Sequence, residues 1–223
     1  MPLEFIFGKT VGAPAFEDKG RIRALLDELI AYASESRHAK QLEEAREVFY
    51  FKSGKTNEDD PDFVQRMNTF LEWFIFDHRP GGVGSKSLFD RYMAEKRPGL
   101  SSGELVQRIA LSKHVHSLFQ VKSCSGGVVK VRDLASRTTY IVTDDDTLER
   151  GDVLEARVVL LGDGCFFTYT HCLHPKGALK SIKTELKKWK QKALDEEFFS
   201  KLQGMQLKWR RFRQISINDI YRM

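Results

Sequence analysis

Five short segments between His114 and His174 constrain the fold of this chain more than any other feature. They are HSLFQVKS, GGVVKVRDL, TTYIVTD, DVLEARVVLLG and CFFTYTHCL, and the turn sequences CSGG, ASR, ERGD and GDG separate them. Short runs rich in Val, Ile, Thr, Tyr and Phe between such turns predict an antiparallel meander. A meander of five strands is long enough to close into a small barrel of the OB or SH3-like kind. Closure is favoured because it removes exposed strand edges.

Helical patterns flank the predicted barrel on both sides. DKGRIRALLDELIAYASES has apolar residues at helical spacing, and a second helix is predicted at about 39–52 with Leu42, Ala45, Val48 and Phe49 turned inward. A third helix is predicted to begin at Asp60-Pro61, which suits an N-cap followed by proline in the first turn. Ser101 and Glu104 have the spacing of a capping box at the start of a later helix.

These patterns together predict an α+β fold in three parts. Residues 1–113 are expected to form a helical portion and residues 114–174 a small five-stranded antiparallel β-barrel. Residues 175–223 are expected to form a long, basic C-terminal helix with a weak point at Gly204.

The composition is that of an ordinary globular protein, with 41% apolar and 30% charged residues in a chain of 223. The longest apolar runs, such as VVLL, are far too short to cross a bilayer, so no membrane partner is expected. The N-terminal sequence MPLEFIFGKTVGAPAF lacks the basic region and long apolar stretch of a signal peptide. Three irregularly spaced cysteines do not make a disulfide framework. A cytoplasmic location is therefore predicted.

Several of these segments also resemble a known family. FLEWFIFDHRP, SLFDRYMAEKRPGLSSGE, LFQVKSCSGGVVKVRDLASRTTYIV and LERGDVLEARVV are similar to segments of poorly characterised bacterial cytoplasmic proteins. Members of that family couple a helical FLEWF-FD segment to a VRDL β-meander. The resemblance covers about residues 45–173 and implies an architecture. It implies no catalytic residues, and the basic C-terminal segment lies outside it.

Two motifs that suggest chemistry do not meet its requirements. RPGGVGSKSLF resembles a phosphate-binding loop, but Ser85 separates Gly84 from the Lys86 that should follow it directly. SCSGG contains Cys124 and Ser125, yet its glycines are better explained by a hairpin turn, and no base is indicated beside either nucleophile. The sequence therefore predicts no catalytic residue and no cofactor.

A possible metal motif lies at the end of the last predicted strand, where CFFTYTHCLHP contains His171, Cys172 and His174. On a strand, Cys172 and His174 share one face while His171 points to the other. Two ligands are too few for a tetrahedral zinc site. No metal is therefore expected.

The strongest functional signal is a stripe of lysines in KGALKSIKTELKKWKQK. Steps of four, three, four and three residues place one set on the same side of a helix: Lys176, Lys180, Lys183, Lys187 and Lys190. An apolar stripe lies about 100° around the helix, formed by Leu179, Ile182, Leu186, Trp189 and Ala193. Between residues 176 and 194 only Glu185 balances the positive charge. This pattern is typical of a docked helix with one basic face.

A second basic cluster follows in KWRRFRQ, where arginines alternate with aromatic residues: Lys208, Trp209, Arg210, Arg211 and Arg213. Arginine forks bind phosphates and aromatic rings stack on bases, a combination that suits RNA or single-stranded DNA. Residues 175–223 carry 13 Lys/Arg against 5 Asp/Glu, whereas residues 1–174 carry 23 against 26. The positive charge is therefore concentrated at one end of the chain.

The leading hypothesis is a non-enzymatic, nucleic-acid-associated protein that binds DNA or RNA phosphates without sequence preference through these basic residues. The first alternative is a protein-interaction module whose basic amphipathic helix engages an acidic protein partner or forms a homo-oligomer. An enzyme that uses a cleft between the helices and the barrel is the least favoured class. A further interpretation is that the lysines form only a solvated helix face, whose positive charge balances acidic residues elsewhere in the same fold.

Overall fold

A closed β-barrel forms the centre of the computed structural model, which describes residues 10–13, 16–82, 84–143, 147–189 and 194–222. Its strands are β2 (Val115–Ser125), β3 (Val128–Asp133), β4 (Thr139–Thr143), β5 (Val153–Leu161) and β6 (Gly164–His174). A two-residue strand, β1 (Thr10–Val11), pairs in parallel with the edge of β4 that also pairs with β6. The predicted α+β class and the small five-stranded barrel are confirmed.

The barrel closes in the order β2-β3-β4-β6-β5, and β5 returns to β2. All neighbours are antiparallel except β4 and β6, which run parallel through Val142 opposite Cys165 and Thr143 opposite Phe166. The prediction of a wholly antiparallel meander is therefore wrong at this seam. β1 lies beside it, and Gly12 approaches β6 so closely that an added Cβ would lie 2.3 Å from Cys165 Sγ.

The strand register shifts at two points in the barrel, and a cationic side chain lies at each of them. In the β2–β3 ladder the register shifts between Val121 and Ser123, so that Lys122 has no partner opposite it. In the β5–β6 ladder it shifts between Ala156 and Val158, at Arg157. Irregularities of this kind redirect side chains and occur preferentially beside functional sites.

The helices before the barrel are α1 (Phe16–Ala33), α2 (Ala39–Ser53), α3 (Phe63–Phe76), α4 (Leu88–Lys96) and α5 (Ser102–Ser112). Helices α1 and α3 pack on β6, and α5 packs on β5. Their apolar faces form one core that includes Phe70, Phe74 and Tyr92. A separate core fills the barrel around Phe119 and Val131. No helix among the described residues has the length and apolarity needed to cross a membrane.

The C-terminal segment forms several helices rather than one long helix with a break at Gly204. They are α6 (Leu179–Trp189), α7 (Glu196–Arg211) and the short α8 (Ile217–Ile220). The predicted weak point at Gly204 is wrong, because α7 runs through it. At Gly204 an added Cβ would lie 3.5 Å from the carbonyl oxygen of Ser53, so the glycine lets α7 approach α2 closely. The break between α6 and α7 ends at Asp195, whose side chain accepts a hydrogen bond from Phe198 N.

The helix starts show which local signals are reliable. The capping box predicted between Ser101 and Glu104 is confirmed. The predicted start of α3 at Asp60-Pro61 is wrong, because the helix begins at Phe63 and Asp60 instead accepts a hydrogen bond from Asn57 N. The inward position predicted for Val48 is also wrong. Its side chain is 39% exposed because α2 buries only a narrow stripe that includes Phe49.

Candidate nucleic-acid interface

Helix α6 docks on the protein through the predicted apolar stripe. Ile182 and Leu186 are buried in a third core with α7 and α8, and Leu179 and Trp189 pack against that core. These side chains are occupied within the fold, so they are not a free surface for a partner helix. Ala193 lies outside the described residues.

The lysines of α6 remain at the surface, as a docked basic helix requires. Lys180, Lys183 and Lys187 are exposed. Lys190, the last lysine predicted on this face, lies outside the described residues. The stripe therefore flanks the contact between α6 and the protein instead of taking part in it.

Lys183 and Lys187 face the barrel across a groove of about 520 Å³. The barrel side of the groove supplies three further cations, which are Lys122, Arg132 and Arg137. We call the space between these five side chains the basic groove. Its apolar surface comes from Leu134, Ala135, Leu186 and Leu194. Cations from a strand pair, a turn and a helix thus converge on one concave surface.

The local structure of β2 and β3 positions two of these cations. Gln120 and Arg132 are directly opposite each other in the β2–β3 ladder, one pair from its end. Lys122 occupies the irregularity two residues further along β2. Its ammonium donates a hydrogen bond of 2.6 Å to Gln120 Oε1, which holds the side chain along the strand.

The turn after β3 positions Arg137. Asp133 is buried, and its carboxylate accepts hydrogen bonds from Ser117 Oγ at 2.9 Å, Ala135 N at 2.7 Å and Ser136 N at 3.2 Å. This network fixes the turn, and Arg137 then adopts a left-handed backbone with φ of 65°. Non-glycine residues rarely adopt this conformation, which costs about 1–2 kcal/mol. The fold therefore holds Arg137 beside the groove at some cost in backbone energy.

The basic groove has an excess of positive charge. Among the described residues, none of its five cations has a carboxylate within ion-pairing distance. Asp133 lines the groove, but its carboxylate bonds to the turn. Partial burial, followed by the charges of Lys183, Arg132 and Arg150, lowers the pKa of Lys122. Like charges therefore repel one another across the groove, and an anion bound there would relieve the repulsion.

Lys176, the first lysine of the predicted stripe, is committed elsewhere. Its ammonium lies 3.2 Å from Glu149 Oε2 and 3.1 Å from Asp152 Oδ1. These hydrogen bonds raise its pKa. Lys176 therefore pairs with acidic residues of its own fold.

The second basic cluster is largely paired within the protein. Arg210 Nη1 lies 2.6 Å from Asp62 Oδ1, and Arg211 Nη2 lies 2.7 Å from Asp60 Oδ2. The guanidinium of Arg213 lies 3.7 Å from the centroid of the Trp209 ring. The structure therefore does not bring this cluster into the basic groove. Lys208 is exposed at the end of α7.

This arrangement explains why helical spacing in the sequence identified only two of the five groove cations. Lys183 and Lys187 share a helix face that periodicity detects. Lys122, Arg132 and Arg137 come from two strands and a turn, and only barrel closure places them opposite α6. The available signal was the alternation in VKVRDLASR, which turns Arg132 away from the barrel interior.

Cys172 and His174, two of the residues considered as zinc ligands, are both buried. His174 Nδ1 lies 3.0 Å from the Tyr221 hydroxyl oxygen. Burial lowers the pKa of His174 to about 3 and raises that of the Cys172 thiol. Within the described part of the chain, no three His, Cys, Asp or Glu side chains are placed to hold a metal ion.

Residues 19–201 match the model of a family of unknown function, DUF7986. The chain belongs to this family. The match extends on both sides of the region 45–173 that resembled a poorly characterised family, and it includes α6 and the start of α7. No curated protein and no solved structure matches the chain.

Proposed function

We propose that this DUF7986 protein is a cytoplasmic, nucleic-acid-associated protein that binds the phosphate backbone of DNA or RNA in the basic groove. One observation carries the proposal. Five cations from α6 and the barrel converge on one concave surface, and none is paired with a carboxylate among the described residues. Clustered unpaired cations gain most from a polyanion, because binding releases the counterions condensed on it.

The topology supports the same proposal. We infer that the barrel is of the OB type, since an OB-fold joins its five strands in the order seen here and closes through one parallel pair. An SH3-like barrel has no such pair. OB-folds commonly bind oligonucleotides across their surface, although a fold alone does not determine a function.

The size and lining of the groove favour a single strand. A volume of about 520 Å³ accommodates roughly one or two nucleotides, in the range typical of small-ligand pockets. The cations on its rim would contact phosphates, and the apolar surface formed by Leu134, Ala135 and Leu186 would contact sugars and base faces. Such contacts position a strand without reading its sequence. Cys165 and Cys172 are free thiols, which supports a reducing location such as the cytoplasm.

The proposal is tested by a fourfold substitution in the groove. Lys122, Arg132, Lys183 and Lys187 are changed to Gln, and binding of a labelled oligo(dT) and a labelled RNA of equal length is measured at several salt concentrations. Each lost phosphate contact should lower the salt slope by about 0.7, as expected for single strands. The affinity for unrelated sequences should fall about equally.

A matched control keeps the net charge of the variant the same. Exposed lysines of the helical portion, Lys40, Lys86, Lys96 and Lys113, are changed to Gln together. This control should bind like the wild type. If both fourfold variants lose the same affinity, net charge rather than the groove is responsible. If the wild type fails to bind either probe at about 50 mM salt, the proposal is wrong and an acidic protein partner becomes the better reading.

A further inference from the structure

A cavity of about 170 Å³ lies where α3 and α7 cross strands β5 and β6. We call it the polar cavity. Its walls contain the carboxylates of Glu72, Asp77 and Glu155, with Asp195 and Glu196 nearer the surface. The one fixed cation among its lining residues is Arg157. Carboxyl groups therefore outnumber fixed cations among the lining residues.

Arg157 cannot balance all of these carboxylates, because it already uses its donors. Its guanidinium donates two hydrogen bonds to Asp77, and its Nε lies 3.5 Å from Glu72 Oε2. Its Nη1 also lies 2.7 Å from His114 Nε2. Glu72 is held further by Thr168 Oγ1 and Thr170 N. Glu72 and Asp77 are thus satisfied, whereas Glu155 has no cation of its own.

Glu155 is 3% exposed and only half bonded. Its Oε1 lies 3.0 Å from His116 Nε2 and accepts a hydrogen bond of 2.7 Å from Gln203 Nε2. Burial lowers the pKa of His116 well below its usual value, so His116 is neutral and the contact is a hydrogen bond. Burial also raises the pKa of Glu155 to about 8. The Oε2 atom has no hydrogen-bond partner.

Three other buried side chains that line the cavity also have an atom without a partner. They are Thr170, through its hydroxyl oxygen, Gln203, through its amide oxygen, and Trp73, through its indole Nε1. The two oxygen atoms can accept a hydrogen bond, as can Glu155 Oε2, whereas Trp73 Nε1 can only donate one. The rings of Phe49, Trp73 and Phe199 supply aromatic walls, which attract cations through their faces. Unused acceptors, aromatic walls and excess carboxylate all favour the same kind of ligand.

We propose that the polar cavity binds a small organic cation, a primary ammonium or guanidinium compound, whose charge is neutralised by the Glu155 carboxylate. A cavity of about 150 Å³ holds a molecule the size of benzene, so a ligand of about that size fits here. A metal ion suits the site less well, because no three potential ligands of the described residues are placed to coordinate one.

The charged and titratable groups around Glu155 determine how binding depends on pH. They are Arg66 and Glu72 of α3, Asp77 directly after it, His114 and His116, Arg157, Cys172, Asp195 and Glu196. The histidines and the Cys172 thiol stay neutral near pH 7 because burial disfavours their charged forms. Glu155 is therefore the group that must lose its proton when a cation binds. The affinity should rise with pH until about pH 8, where Glu155 is ionised without a ligand.

The test compares two ligands of the same shape. Benzylammonium and benzyl alcohol are titrated into the full-length protein, and binding is followed by backbone amide chemical shifts in NMR. We expect benzylammonium to bind at least tenfold more tightly than benzyl alcohol at pH 8. Its affinity should also rise by more than tenfold from pH 6 to pH 8, because a carboxyl group with a pKa of about 8 ionises over this range. Equal binding of the two ligands, or binding of neither, would overturn the proposal.

Two variants locate the effect. Glu155→Gln keeps the shape but removes the charge, and it should abolish the preference for benzylammonium and the pH dependence. Glu185→Gln is the matched control, since Glu185 is also a buried carboxylate but pairs with Lys188 outside the cavity. It should bind like the wild type. If Glu155→Gln does not fold, Thr170→Val is used in its place and should weaken the binding of benzylammonium several-fold. A variant at either position that binds benzylammonium like the wild type would contradict the proposal.

Discussion

The basic groove and the polar cavity both contain an excess of one charge, but the protein treats the two excesses in opposite ways. The groove keeps Lys122, Arg137, Lys183 and Lys187 exposed and Arg132 half-buried, so that water solvates these cations at little cost. The cavity keeps its carboxylates buried, where desolvation raises the pKa of Glu72 to about 7 and that of Glu155 to about 8. At the surface, the excess positive charge of the groove is therefore retained. In the buried cavity, the excess negative charge is reduced because the carboxylates take up protons.

Removing one cation from each region should show the largest contrast. Arg157→Met leaves Glu72 and Asp77 buried or half-buried without their guanidinium, and we expect a loss of about 3–5 kcal/mol in the free energy of unfolding. Lys122→Met in the groove should change it by less than about 0.5 kcal/mol, as is usual for exposed positions. Urea denaturation measures both. Similar losses for the two variants would remove the distinction between the regions.

The pH dependence of stability should show the buried excess directly. The folded protein holds protons on Glu72 and Glu155 more tightly than the unfolded chain does, so it binds more protons between the unfolded pKa near 4.5 and the folded values of about 7 and 8. Stability from these groups is therefore complete below about pH 4.5 and is lost as pH rises. The neutral histidines act in the opposite direction, but only below their usual pKa of about 6.5.

The clearest window is thus pH 6.5 to 8.5, where we expect the free energy of unfolding to fall by on the order of 2 kcal/mol. Glu155→Gln should remove most of this fall, while the fourfold groove variant should keep it. Urea titrations across the window give the values. Stability that is flat in the wild type would show that the buried carboxylates are ionised throughout.

A small effect is expected at Arg137, where the turn imposes a backbone cost. Arg137→Gly relieves the left-handed conformation but makes the unfolded chain more flexible, so we expect a net gain of about 0.5 kcal/mol. The same change should lower the salt slope of oligonucleotide binding by about 0.7 if Arg137 contacts a phosphate. Thermal melting and salt-titrated binding measure the two effects. Loss of stability without any change in slope would mean that Arg137 serves the turn alone.

Local patterns predicted the elements well, since each strand of the barrel was bounded by its own turn residues. They predicted the residues of the basic groove only in part. Lys183 and Lys187 follow from helical spacing, but Arg210 and Arg211 looked equally available in the sequence. Their partners Asp62 and Asp60 lie near the start of a distant helix, and no periodicity reveals such a pairing.

The polar cavity was missed altogether, although a signal for it existed. Glu72 interrupts the apolar run FLEWFIF, and Glu155 interrupts VLEARVVLL. A carboxylate within an apolar run is buried only if the fold supplies partners, so it deserves a functional reading. The identity of those partners depends on how α3 and α7 cross the barrel. Local sequence patterns do not reveal this tertiary arrangement.

The seam between β4 and β6 has a consequence for the order of folding. Two opposed residue pairs hold it, and the segment Thr10–Ala13 lies across it, with Thr10 and Val11 against β4 and Ala13 against Gly164. This strand is made before both of its partners, which lie more than 100 residues further along the chain. β1 must therefore wait until β4 and β6 have been made, and contacts between such distant segments form slowly. Closure of the barrel should be a late event in folding.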